Sequence, residues 1–184
     1  MKYLTHVRYG FMTSARAKLI NKLTDIAPYV LRKVCFNNES GSLANEAAIK
    51  LALINKKEAY RIITLIKSYH GSTLAIISAS YRMPNLLGVG SNLRGFGLDR
   101  FQKVPFPYCY GCPMGIYERL YGQKDPNCNY EYVYLVEHLI EHAPTEIACI
   151  LQEPMQGSRG QIPAPNEYLQ KLRKICDKYK VYWI

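Results

Sequence analysis

No stretch of this sequence stays apolar long enough to cross a membrane as a helix. The first residues, Met1 to Tyr9, carry Lys2, His6 and Arg8 and lack the apolar core of a secretory signal, so a cytoplasmic protein is expected. There is no internal repeat and no low-complexity tract. Acidic residues are scarce: 14 Asp and Glu stand against 24 Lys and Arg, a net charge of +10. That balance suits nucleic acid, an anionic ligand or simply a solvated basic surface. The basic residues are scattered, however, and no nucleic-acid motif accompanies them. Sixteen interleaved tyrosines keep nucleic-acid binding as an alternative. The second Cys pair of an ordinary zinc site is also missing. Cys109 and Cys112 form one CxxC, with Cys128 beyond it and His138 and His142 spaced i, i+4 on an expected helix. No metal site is therefore assigned. Cys35, Cys149 and Cys176 fall in apolar patterns and read as small buried hydrophobes.

What is present is enough for one domain: 184 residues, 48% apolar and 21% charged. Ser14 to Ala27 reads as a helix with Ala15, Leu19, Leu23 and Ile26 on one face and Pro28 after it. Arg61 to Ile66 is a β-branched run, and Ile147 to Leu151 and Phe101 to Val104 are further strands. Thr73 to Ser80 reads as a short helix. Tyr132 to His142 forms another, with Val133, Val136, Leu139 and Ile140 on one face. A last helix, capped by Asn166, runs to Tyr179 with Leu169, Leu172 and Ile175 inward, and Val181 to Ile184 begins a strand. Met83 to Gly97 reads as a loop and residues 105–129 as an irregular excursion. Strands alternating with helices predict an α/β fold: a mainly parallel sheet in three αβα layers. Ligands of such sheets bind beyond the carboxyl ends of the strands.

One segment points to such a ligand. Val34, Cys35 and Phe36 read as a short strand, followed by Ser40-Gly41-Ser42 and a helix with Ala44, Ala47, Ala48, Leu51 and Ala52 on one face. The unpaired amides of a helix start and its dipole favour an anion, and Gly41 lets a ligand approach the backbone. The same pattern also fits a serine that simply caps the helix. Tyr69-His70-Gly71 and Glu153 each follow a strand and can converge on the same edge.

These pieces, in this order, resemble the class III aminotransferases, pyridoxal-phosphate enzymes of fold type I. The matching stretches are Ser40-Gly41-Ser42 with Ala44-Asn45-Glu46-Ala47-Ala48, then Tyr69-His70-Gly71, then Gln152-Glu153-Pro154-Met155-Gln156-Gly157, then Leu172 to Tyr179 leading into the last strand. Pro107-Tyr-Cys-Tyr-Gly-Cys-Pro113 further resembles prokaryotic 4-aminobutyrate aminotransferases. The resemblance implies that residues 1–184 are a single partial domain, part of the pyridoxal-phosphate-binding large domain. It implies cofactor contacts from Ser40, Gly41, Ser42, Tyr69, His70 and Glu153. The Gly41 and Ser42 amides would hold the phosphate, and Tyr69 would stack on the pyridine ring. His70 and Glu153 would support the site.

By the same resemblance, the chain stops before the Asp that keeps the pyridine nitrogen protonated and before the Schiff-base lysine. Lys50 and Lys67 do not fall in that lysine's place in the motif order. No catalytic residue is therefore assigned. The complete enzyme would pass an amino group from an amine or ω-amino acid to a 2-oxo acid, as a homodimer. The chain alone is expected to bind pyridoxal phosphate weakly and not to transaminate. Three positions depart from the family pattern: Glu39, Leu43 and Ser158. The alternative is a non-catalytic protein that binds nucleic acid or is stabilised by zinc at Cys109 and Cys112.

Overall fold

The computed structural model describes residues 7–8, 10–36, 39–80, 100–112 and 128–184. The expected loop at Met83 to Gly97 and most of the 105–129 excursion lie outside them. The chain divides into two compact units, Met1–Ser40 and Gly41–Ile184.

In the first unit, helix α1 spans Ser14–Ile26. Thr13 caps it, its Oγ1 accepting the Arg16 amide at 3.2 Å, and Ala27 and Pro28 end it. None of its residues is buried, so the apolar stripe read from the sequence is real but not covered. The expected strand at Val34 to Phe36 does not form. A strand needs a neighbour to accept its ladder of hydrogen bonds. Among the described residues of this unit no other strand exists to pair with it. Cys35 is accordingly exposed rather than buried.

The second unit is built on a four-stranded parallel sheet. Its strands are β1 (Arg61–Leu65), β2 (Phe101–Val104), β3 (Ile147–Leu151) and, last in the chain, β6 (Tyr182–Trp183). Their spatial order is β2-β1-β3-β6. Helices α2 (Gly41–Asn55), α3 (Tyr132–His142) and α4 (Asn166–Tyr179) cover the two faces. Ile63 and Leu65 of β1 point to one face with Val133, Val136 and Ile140 of α3 and Tyr168 and Leu172 of α4. Ile62 points to the other, against Ile49 and Ala52 of α2 and Ile76 and Ala79. That alternation is the period-two signature of a strand buried on both sides. On β3 it is broken. Arg61 pairs with Ile147 but Ile62 with Cys149, so Ala148 is an extra residue in a bulge. Ile147 and Ile150, three apart, therefore share the α3–α4 face.

Four further readings need correction. Between Thr73 and Ser80 only Ile76–Ser78 is helical, as a single 3₁₀ turn. The loop after Glu153 contains a small antiparallel hairpin, β4 (Met155–Gln156) with β5 (Ile162–Pro163). Asn166 is the first helical residue of α4 rather than its cap; Pro165 holds the cap position. On α2 the covered face carries Ile49 and Ala52, whereas Ala44 and Leu51 are exposed. All four sheet strands run the same way, so the loops after β1 and β3 leave the sheet on its carboxyl edge.

Candidate functional site

Three polar side chains at i, i+3 and i+4 on one face of α2 fasten its amino-terminal end to the turn that follows β1. Ser42 Oγ accepts the Ser72 amide at 3.2 Å, and Asn45 Nδ2 donates to the His70 carbonyl at 2.7 Å. The Thr73 hydroxyl donates to the Glu46 carboxylate. The approach is close enough to require glycine at position 71. Its φ is +135°, and an added β-carbon would lie 2.3 Å from Ser42 Oγ and 2.8 Å from Ile76 Cγ2. Gly41, at the head of α2, has open space around it instead. No acidic residue occupies the first turn of this 15-residue helix. The first amides of a helix have no i−4 carbonyl to donate to, so its start carries positive potential.

The second junction joins the loops after β1 and β3. Glu153 uses both carboxylate oxygens: Oε2 accepts the Tyr69 amide at 2.9 Å and Oε1 the Gly157 amide at 3.3 Å. Gln156 Nε2 donates to the Ile66 carbonyl at 2.8 Å from a buried position. Tyr69 is 39% exposed, whereas His70 beside it is 5% exposed. The His70 amide donates to Ser80 Oγ at 2.9 Å, and its buried Nε2 has no protein partner. Burial, aided by the charge of Lys103, pulls the imidazole down to about 4, so it is neutral near pH 7. Gln152, at the end of β3, is buried with neither amide atom bonded.

Of the residues singled out from the sequence, Gly41, Ser42, Tyr69, His70 and Glu153 are thus brought together around two junctions. Ser40 is exposed and ends the first unit, directly before Gly41 in the chain. Cys112 is buried, 3.3 Å from the Tyr132 hydroxyl. Among the described residues no three His, Cys, Asp or Glu gather as metal ligands. Residues that sequence reasoning passed over are Thr73, Ser80 and Lys103. Asn45 and Glu46 lay inside a motif already quoted, and their i+3 and i+4 spacing from Ser42 was the available signal. Lys103 gave none.

A helix start tied to a turn that carries a neutral imidazole and a half-exposed tyrosine can receive a phosphorylated aromatic ligand. Comparison with known proteins agrees with that chemistry. The family model for aminotransferase class III matches residues 1–184. The chain is 31% identical to the adenosylmethionine-8-amino-7-oxononanoate aminotransferase of Geobacter sulfurreducens, covering 98% of this chain and 39% of that protein. It is 34% identical to the isoleucine 2-epimerase of Lentilactobacillus buchneri, covering 89% of this chain and 34% of that one. Among solved structures, the taurine:2-oxoglutarate aminotransferase of Bifidobacterium kashiwanohense, in complex with PLP and glutamate, superposes with a TM-score of 0.76 at 25% identity. That match covers 95% of this chain and 37% of the other. The chain thus spans little more than a third of the length of these relatives, and its helices and parallel sheet are those of the type I fold. With the family model matched from its first residue to its last, this chain belongs to the class III aminotransferases.

Proposed function

We propose that these residues form the phosphate- and ring-facing part of a pyridoxal-phosphate site. The observation that carries this reading is the pair of bonds, Ser42 Oγ to Ser72 N and Asn45 Nδ2 to His70 O, that hold the head of α2 against the Tyr69-His70-Gly71 turn. The residues present fit the group at two points. The first turn of α2 is open at Gly41 and free of carboxylates, as a phosphate requires. The exposed ring of Tyr69 is available for stacking, its backbone fixed by Glu153. When bound, the cofactor supplies an electron sink for bonds to the substrate's amino-bearing carbon. The chain's own part is to bind and orient. The Gly41 and Ser42 amides would take the phosphate, with Ser40 preceding them, while the buried His70 stays uncharged.

In the whole protein the reaction would be transfer of an amino group from an amine or ω-amino acid to a 2-oxo acid, by a cytoplasmic homodimer. The 184 residues alone would bind the cofactor weakly and would not transaminate. A second reading, racemisation or epimerisation of an amino acid, is favoured by the similarity to isoleucine 2-epimerase. Inversion of an amino acid without any 2-oxo acid would identify it.

The test of the cofactor site is a titration with pyridoxamine 5′-phosphate and with pyridoxamine, which lacks the phosphate and, like it, cannot form imines with surface lysines. Backbone NMR shifts at Gly41, Ser42 and Tyr69 that need the phosphate would support the site. Equal responses to both compounds would remove it.

A further inference from the structure

We infer that Lys103 is a positioning residue for the Tyr69-His70-Gly71 turn: its ammonium gathers three consecutive backbone carbonyls and so sets the Ser80 hydroxyl on which that turn hangs. Lys103 lies on β2, an edge strand of the sheet, in register with Thr64. Phe101, two residues earlier and therefore on the same face, packs against the cluster formed by Ile76, Ala79 and α2. The lysine stem runs out over this face. Its Nζ donates to the carbonyls of Ser78 at 3.0 Å, Ala79 at 2.9 Å and Ser80 at 2.9 Å. These carbonyls belong to the last residue of the 3₁₀ turn and the two that follow, where a helical segment runs out of its own donors. An ammonium has three N–H groups, one for each.

The relay runs on from there. Ser80 Oγ accepts the His70 amide at 2.9 Å and donates to the Gly71 carbonyl at 3.3 Å. One hydroxyl thus spans the His70-Gly71 dipeptide, while from α2 Asn45 holds the His70 carbonyl and Ser42 the Ser72 amide that follows. Without Lys103, three adjacent carbonyls would lose their shared donor and the Ser80 backbone would lose the anchor that aims its hydroxyl. The charge has a second effect. It adds to burial in keeping His70 neutral, while burial pulls the lysine itself down to about 8.

The consequence for cofactor binding rests on the proposed site; the positioning itself does not. The experiment is residue-resolved hydrogen exchange on the 184-residue chain. Lys103→Met, which keeps the stem and removes the donors, should speed exchange of the His70 and Ser72 amides roughly tenfold. The Ile63 and Ile150 amides of the central strands should not change, and Lys103→Arg should restore protection. Unchanged His70 and Ser72 amides would overturn the inference. Equal acceleration at Ile63 and Ile150 would overturn it too, since that is general destabilisation. If Lys103→Met does not fold, Ser80→Ala tests the relay at its next link: the His70 amide should exchange faster, and protection equal to the parent would refute it. Pyridoxamine 5′-phosphate affinity is measured in parallel. Unaltered affinity with released amides would count against the cofactor site and leave the positioning standing.

Discussion

Ser42 Oγ occupies the space that a β-carbon on Gly71 would need, 2.3 Å from where that carbon would be. The head of α2 and the turn after β1 are therefore in contact at a point where only hydrogen fits. Gly71→Ala should cost roughly 1–3 kcal/mol, from positive-φ strain and overpacking together. Denaturant midpoints of the two proteins, with unchanged slope, would measure it. Ser42→Gly in the Gly71→Ala background should recover part of the loss by vacating the contested space.

Glu153 fixes two amides with one carboxylate. Glu153→Gln leaves an acceptor for one of them, whereas Glu153→Ala leaves none. The Ala variant should lose about 1 kcal/mol, modest because the bonds are exposed, and should release the Tyr69 and Gly157 amides to exchange. The Gln variant should protect one of the two. Two protected amides in Glu153→Ala would contradict this assignment.

Stability should fall on acidification because of His70. Its imidazole is held at about 4 in the fold, below the ordinary value of 6.5 that the unfolded chain presents. Between these values the unfolded state binds more protons, so stability rises with pH. The contribution is fully present above pH 6.5 and is lost as pH falls toward 4. Its size is on the order of 3 kcal/mol. Denaturation midpoints measured across that window should flatten in His70→Gln. In Lys103→Met the window should narrow from below, since the lysine charge no longer opposes protonation of His70.

The six cysteines should separate by reactivity. Burial pushes Cys149 up to about 12 and Cys176 up to about 11, and both are out of reach of solvent. Cys35 is exposed. A thiol reagent at neutral pH should modify Cys35 first and leave Cys149 and Cys176 unmodified until the chain is denatured. Mass mapping of the labelled cysteines is the measurement.

Legibility in the sequence followed how local each determinant is. Arg61 to Leu65 and Ile147 to Leu151 were readable because a strand buried on both faces needs a continuous apolar run. Tyr132 to His142 was readable from its helical period. The Val34 to Phe36 run carries the same local signal but has no strand beside it among the described residues, and pairing is not a local property. The two-residue pairing of Met155–Gln156 with Ile162–Pro163 is too short to leave a pattern. At the site, the motif order pointed to Gly41, Ser42, Tyr69, His70 and Glu153, because a helix start and the loops after strands can be recognised one at a time. The residues that join them, Thr73, Ser80 and Lys103, act through contacts between distant parts of the chain. No spacing rule encodes those contacts.

The central claim is that the Gly41 and Ser42 amides at the head of α2 bind the cofactor's phosphate, and Gly41→Pro tests it most directly. Proline is well tolerated at the first position of a helix, and a β-carbon at residue 41 meets open space; what the change removes is one amide donor. Binding of pyridoxamine 5′-phosphate should weaken roughly tenfold, as for loss of one charge-assisted hydrogen bond, while the denaturant midpoint stays put. Phosphate-dependent binding of the same strength in parent and variant would contradict the account.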